Sequence, residues 1–264
     1  MAVGFTDPAG VKTGKALPTG NSVDVLDLGG SGTAIPATLM DRAWADPGAS
    51  VSASDVRVGA DEATPENSNS SSLPAIAGSF GAIIAVVVVV AYRCAANVRP
   101  VDRFAAAWFA LCGFLHVSFE GYYIYHRHDI AGMNTLFAQL WKEYTLSDSR
   151  YLTLDVFTVC VEMITVFVWG PLSLLVLLAI LRGHDGRHPL QIIVCVAHLY
   201  GVTLYYATNW AEGLSCSRPE FLYYWVYYAG FNSPWVFVPL VLLYDSFSQI
   251  QDAFAAVRRH THTD

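Results

Sequence analysis

The stretch Ile83-Ile84-Ala85-Val86-Val87-Val88-Val89-Val90 carries no side chain able to hydrogen-bond, and it sits in a longer run, 75–92, without one charge. A run of that length is enough to cross the roughly 30 Å hydrocarbon core of a bilayer as a helix. Arg93 and Arg99, with Pro100, mark its exit, so the first span is expected from Ala75 to Ala96. Four more apolar windows with almost no charge follow, at Phe104 to Tyr125, Leu154 to Leu181, Leu190 to Thr208 and Phe221 to Tyr244. The sequence therefore predicts an all-α membrane protein, a five-transmembrane-helix bundle covering 75–248, with no internal repeat. Between the second and third spans the polar connection His126 to Thr153 holds Trp141, Tyr144 and Tyr151, and an interfacial helix is expected there.

The 54% of hydrophobic and 14% of charged residues fit lipid as the solvent. Of the acids, nine lie in residues 1–74 with only four bases, so the net charge of -7 belongs mostly to that segment, and nucleic acid is excluded as a partner. Residues 1–74 are rich in Gly, Ala, Ser, Pro and Asp, end in Asn67-Ser68-Asn69-Ser70-Ser71-Ser72, and are expected to form a disordered N-terminal extension. They lack the basic start and apolar core of a cleavable signal peptide. Residues 249–264 are expected to form a C-terminal tail. Lys and Arg counts near the spans favour Arg93, Arg99, Arg103, Arg182, Arg187, Arg258 and Arg259 over Arg127, Lys142, Arg150 and Arg218, which places the C-terminus in the cytosol. Asn69-Ser70-Ser71 is formally a glycosylation sequon, too near the membrane to matter.

Ionisable groups inside a membrane helix cost about 2.5 to 3.5 kcal/mol each, so each invites a reason. The second span carries His116 and Glu120, four apart and on one face; the third carries Glu162 and Thr165; the fifth carries Asn232 and Trp235 around Pro234, which frees a backbone carbonyl. Singly, such residues are as well explained by hydrogen bonds between helices. Together they suggest one polar cavity whose acids and histidine exchange protons and whose indole stabilises a cation. His198, lone in the fourth span, reads as a core histidine. His126, His128 and Asp129 read as a solvated loop, and Tyr122, Tyr123, Tyr205 and Tyr206 as an aromatic belt; Tyr223, Tyr224, Tyr227 and Tyr228 line a lipid path or join that belt, the belt having the stronger claim. Cys94, Cys112, Cys160, Cys195 and Cys216 show no C-x-x-C spacing, which argues against a zinc site and leaves them as packing residues.

From about residue 77 to 245 the chain resembles the emopamil-binding protein family of sterol isomerases. The resemblance rests on His116-Val-Ser-Phe-Glu120-Gly121, on Leu140-Trp-Lys-Glu-Tyr144 followed by Asp148-Ser-Arg-Tyr151, on Phe157-Thr-Val-Cys-Val-Glu162-Met-Ile-Thr165, on Trp169-Gly-Pro-Leu-Ser173 and on Asn232-x-x-Trp235. It implies a five-helix enzyme of the endoplasmic reticulum membrane, often dimeric, that moves a ring double bond of a sterol from the 8 to the 7 position without a cofactor. It also implies functional roles for His116, Glu120, Trp141, Tyr144, Glu162, Thr165, Asn232 and Trp235. On that reading Glu162, with Thr165 and Asn232, delivers a proton, Trp235 faces the cation, and His116 with Glu120 takes the second proton; the two acid/base roles are interchangeable. Trp141, Tyr144 and Tyr151 are expected to contact substrate, and no metal is expected. The same chemistry on another polycyclic terpenoid, and a non-catalytic sterol- or amine-binding protein, are the competing readings. The long N-terminal segment, His198 and the connection Asn209 to Pro219 depart from the family pattern.

Overall fold

The computed structural model describes residues 69–261, which are mostly helical, with no strand among them. Five helices are long and apolar enough to cross a membrane: α1 (Leu73–Cys94), α2 (Pro100–His126), α4 (Val156–Leu181), α5 (Arg187–Ala211) and α6 (Leu222–Thr261). The short α3 (Leu136–Tyr144) lies in the connection between α2 and α4. The disorder expected over 1–74 falls, up to residue 68, outside the described residues, as do the last three residues of the expected tail.

Helix boundaries differ from expectation where a local capping device decides them. α1 starts at Leu73, with Pro74 in its first turn, where a missing N–H costs nothing. Its entry is tied to α3, because Gln139 Oε1 accepts from the Ser71 N–H at 2.9 Å and the Gln139 carbonyl from Asn69 Nδ2 at 3.2 Å. The Asn69 sequon is thus engaged in the fold. α4 starts at Val156, after the expected Leu154, because Leu154 adopts φ 53°, a left-handed conformation that no helix interior accepts. Asp155 then caps the helix, its carboxylate accepting from the Thr158 N–H at 2.8 Å. α4 and α5 both end in the same way. Gly183 and Gly213 take φ 60° and 70°, and the N–H groups of His184 and Leu214 reach back to the carbonyls of Ala179 and Asn209 at 2.9 and 2.8 Å. α6 does not stop at Tyr244 but continues to Thr261, closing on Arg258 and Arg259, cations suited to the negative end of its dipole.

Three membrane helices contain a π-helical stretch: Leu115–Glu120 in α2, Thr165–Trp169 in α4 and Leu222–Gly230 in α6. Such widened turns loosen the backbone ladder and recur at functional sites. α6 is also interrupted at Ser233, ahead of Pro234, whose missing N–H frees the Gly230 carbonyl; the Ser233 hydroxyl donates to it at 2.8 Å.

α2 packs against α1 and against the second half of α4, α4 against α5, and α5 along α6. Almost all of α1 faces outward, with Val86, Val89 and Val90 exposed, whereas half of α2 is buried. α2 and α4 approach closely because Gly170 follows the π-helical stretch of α4. A Cβ there would lie 2.7 Å from Val117 Cγ2 and 3.1 Å from the Cβ of His116.

Candidate active site

Reading down α2, Trp108, Cys112, His116 and Glu120 recur every fourth residue, forming one stripe that faces α4, α5 and α6. In the π-helical stretch, His116 Nδ1 lies 2.9 Å from both carboxylate oxygens of Glu120. That geometry holds a proton on Nδ1, so the Nε2 lone pair faces away from Glu120 and meets His198 Nε2 of α5 at 3.2 Å. The three side chains thus form a continuous chain, Glu120–His116–His198, across two helices. His198 is no isolated core residue. Its remaining nitrogen, Nδ1, is buried without a hydrogen-bond partner, as are the indole N–H groups of Trp108 and Trp235.

The two indoles flank the histidines. Trp235 stands 5.2 Å from Trp108 and 6.3 Å from His116 between ring centres, and Trp108 stands 6.4 Å from His198. The break at Ser233 sets Trp235 at the start of the second segment of α6, turning its ring inward.

On the other side of Glu120 lies Glu162 of α4, close enough for the two carboxyl groups to share a hydrogen bond. Glu162 accepts from the Tyr151 hydroxyl at 2.6 Å. Burial, followed by the nearby Glu162, holds the Tyr151 phenol well above its ordinary range, so it stays a donor. Thr165 and Asn232 do not join Glu162. The Thr165 hydroxyl donates to the Val161 carbonyl of its own helix at 2.9 Å, the usual back-bond of a helical threonine. Asn232 Nδ2 donates to the Tyr144 hydroxyl at 3.1 Å and to the Tyr228 carbonyl at 2.8 Å. Tyr144 in turn meets the Tyr205 hydroxyl at 3.2 Å.

Trp141, Tyr144 and Tyr151 form an aromatic wall beside these acids. Trp141 stacks on Phe119 at 4.6 Å and donates its indole N–H at 2.9 Å to the Phe119 carbonyl, in the widened turn of α2. Its ring is 5.1 Å from Tyr151, which is 5.6 Å from Tyr144. The wall is fixed from behind by a buried ion pair: Arg150 grips both oxygens of Asp148 at 3.0 and 2.7 Å, and donates to Thr208 Oγ1 at 2.8 Å. The expected aromatic belt is corrected here. Tyr123 is fully buried and donates to the Tyr151 carbonyl at 2.9 Å, Tyr205 bonds to Tyr144, and Tyr206 donates to the Ala229 carbonyl at 2.9 Å. A buried phenol needs such a partner, and the packed neighbours supply it. His128 and Asp129 are exposed, in keeping with a loop.

Sequence reasoning missed His198, Trp108, Cys112 and Tyr205. The four-residue stripe on α2 was the signal for two of them; nothing local marks the others.

The EXPERA (EXPanded EBP superfamily) family model matches residues 136–246. The 3-beta-hydroxysteroid-Delta(8),Delta(7)-isomerase of Cavia porcellus is 37% identical over 178 residues, 66% of this chain and 77% of that protein. A probable 3-beta-hydroxysteroid-Delta(8),Delta(7)-isomerase of Oryza sativa subsp. japonica is 36% identical over 183 residues, 69% of this chain and 83% of that protein. The isomeliandiol synthase of Melia azedarach is 39% identical over 143 residues, 53% of this chain and 66% of that protein.

Proposed function

The chain belongs to the EBP, or EXPERA, family, and on that footing we propose that it is a sterol Delta8-Delta7 isomerase, an enzyme that transposes a ring double bond inside the membrane. The observation that carries the reading is the meeting of Glu120 and Glu162, with His116 between Glu120 and the aromatic rings, in the interior of the bundle.

The reaction needs one proton delivered and one removed. Protonation of ring carbon 9 turns the 8,9 double bond into a tertiary cation at carbon 8; loss of a proton from carbon 7 then forms the 7,8 double bond. Two adjacent carboxyls share a proton readily, since both cannot ionise cheaply so close together. Glu162, held by the Tyr151 hydroxyl, is the proposed donor. His116 and Glu120 form the proposed acceptor, with the roles exchangeable. The Trp235 and Trp108 faces offer negative quadrupole to the developing charge, worth about 2 kcal/mol or more where water is excluded. Thr165 and Asn232 keep supporting parts: Asn232 orders Tyr144 in the aromatic wall, and Thr165 opens the π-helical stretch of α4. Trp141, Tyr144 and Tyr151 are the proposed contacts to the flat face of the ring system.

A homodimer in the endoplasmic reticulum membrane with a cytosolic C-terminus completes the proposal, supported by the family and by the Arg-rich side. A second reading, the same proton transfers on a non-sterol polycyclic terpenoid, draws on the likeness to the isomeliandiol synthase.

Expression in cells lacking their own isomerase, with sterol profiling by mass spectrometry, separates these. Conversion of accumulated 8-ene to 7-ene sterols, with deuterium from heavy water entering at carbon 9, is the expected outcome. Turnover of a non-sterol terpenoid alone would favour the second reading, and binding without any turnover would overturn both.

A further inference from the structure

Cys112, His116 and His198 are all buried, and one ligand atom from each lies within 4.8 Å of the others. From this we infer a binding site for a borderline divalent transition-metal ion, of which zinc is the representative, and that metal held there blocks the proton transfers of the same pocket. The blocking half rests on the sterol reading; the binding half does not.

The placement follows from α2 itself. Cys112 and His116 are four residues apart on one face, so thiol and imidazole project side by side toward α5. His198 comes from across the interface. The 3.2 Å between the two Nε2 atoms is near the edge, about 3.3 Å, of a tetrahedron with zinc–nitrogen bonds of about 2.0–2.1 Å. His116 is moreover already prepared as a ligand. Its Nδ1 proton is held by both oxygens of Glu120, the carboxylate–histidine arrangement that fixes the tautomer and raises the basicity of a metal-bound imidazole.

Charge balance agrees. On binding, Cys112 releases its proton to solvent, and the thiolate together with the Glu120 carboxylate balances the two positive charges, so the loaded cluster is neutral. Three protein ligands leave a fourth position open. The Glu120 side chain keeps 18% of its surface exposed, so the cluster is not sealed. A metal here would occupy the Nε2 lone pair of His116 and clamp Glu120 as its hydrogen-bond acceptor. Both would be withdrawn from proton transfer.

The test uses the full chain purified in detergent, in a background where the exposed Cys94 and Cys160 are alanine. Titration with cobalt(II) is expected to give the near-ultraviolet thiolate-to-cobalt charge-transfer absorption, abolished by Cys112→Ser and weakened at least about tenfold in affinity by His198→Gln. No such band, or a band unchanged in Cys112→Ser, would overturn the site. Cys216→Ala, in the connection after α5, is expected to leave the band intact, and its loss there would also overturn the assignment. Micromolar zinc is expected to inhibit isomerisation by the parent and to spare Cys112→Ala; equal inhibition of both would overturn the blocking half while leaving the spectroscopy to stand alone. A folded Cys112→Ala protein is confirmed by unchanged thermal unfolding without metal.

Discussion

Two groups of charged side chains meet inside this bundle, and they follow opposite plans. Where α2 begins, Arg99 grips both oxygens of Asp102 at 2.9 and 2.7 Å and both of Asp245 at 3.2 and 3.0 Å, while Arg187 adds a 2.5 Å bond to Asp102. Two arginines face two aspartates, and every carboxylate oxygen has a cationic donor. About five turns along the same helix, Glu120 and Glu162 face each other with an imidazole pair and a phenol, and no arginine or lysine bonds to either among the described residues. A balanced network gives each carboxylate a guanidinium partner and ties α2, α5 and α6 together. An acid-rich one, on the proposed reading, offers carboxyls without a fixed cation to exchange protons with substrate. Charge inside a membrane is therefore not one signal but two, told apart by the partner.

The sharpest way to break this contrast is to neutralise one acid in each group. Glu162→Gln, or Glu120→Gln, should lower turnover about 100- to 10,000-fold while leaving the thermal midpoint in detergent unchanged or raised, since the amide keeps the shape of the carboxyl and carries no charge to bury. Turnover near that of the parent in both variants would end the acid/base assignment. Asp102→Asn should do the reverse. It leaves Arg187 buried without its carboxylate, at a cost of about 3–5 kcal/mol, with kcat of the protein that remains folded little changed. A thermal midpoint equal to the parent's would show that the network holds nothing together.

A smaller effect sharpens the comparison from outside the spans. Glu143 on α3 is half-buried and bonds to Tyr227 at 3.3 Å; desolvation outweighs that bond and the pull of Arg218, and raises its pKa above the ordinary 4.5. Because the folded value is the higher one, stability is fullest below the ordinary value and declines as pH rises through the raised one. Glu143→Gln should therefore gain thermal midpoint relative to the parent at neutral pH and little or nothing near pH 4, read by unfolding at both. A gain of equal size at both pH values would remove ionisation as its cause.

Much of this was legible before any tertiary structure. Five spans follow from apolar length, which is local, and the pairing of His116 with Glu120 follows from four-residue spacing, which is also local. Leu154 was misread as helical because its apolar side chain fits the run, while its left-handed backbone answers to the cap that Asp155 builds beyond it. Thr165 was placed with Glu162 by spacing alone, yet its hydroxyl found the nearer Val161 carbonyl. The absence of C-x-x-C says nothing of Cys112 and His116, whose four-residue spacing on a helix brings them together with His198 only once α5 is packed.

The sequence by itself determined which segments cross the bilayer, which residues could carry protons, and that His116 and Glu120 share a face, because these depend on residue type and helical period. The tertiary structure alone decided that His198 meets His116, that Tyr151 rather than Thr165 or Asn232 serves Glu162, and that two indoles close on the histidines. Those contacts depend on how far apart and at what rotation the helices sit. That is set by the absent side chain of Gly170, the widened turns of α2 and α4, and the break before Pro234, none of which has meaning until the helices are packed.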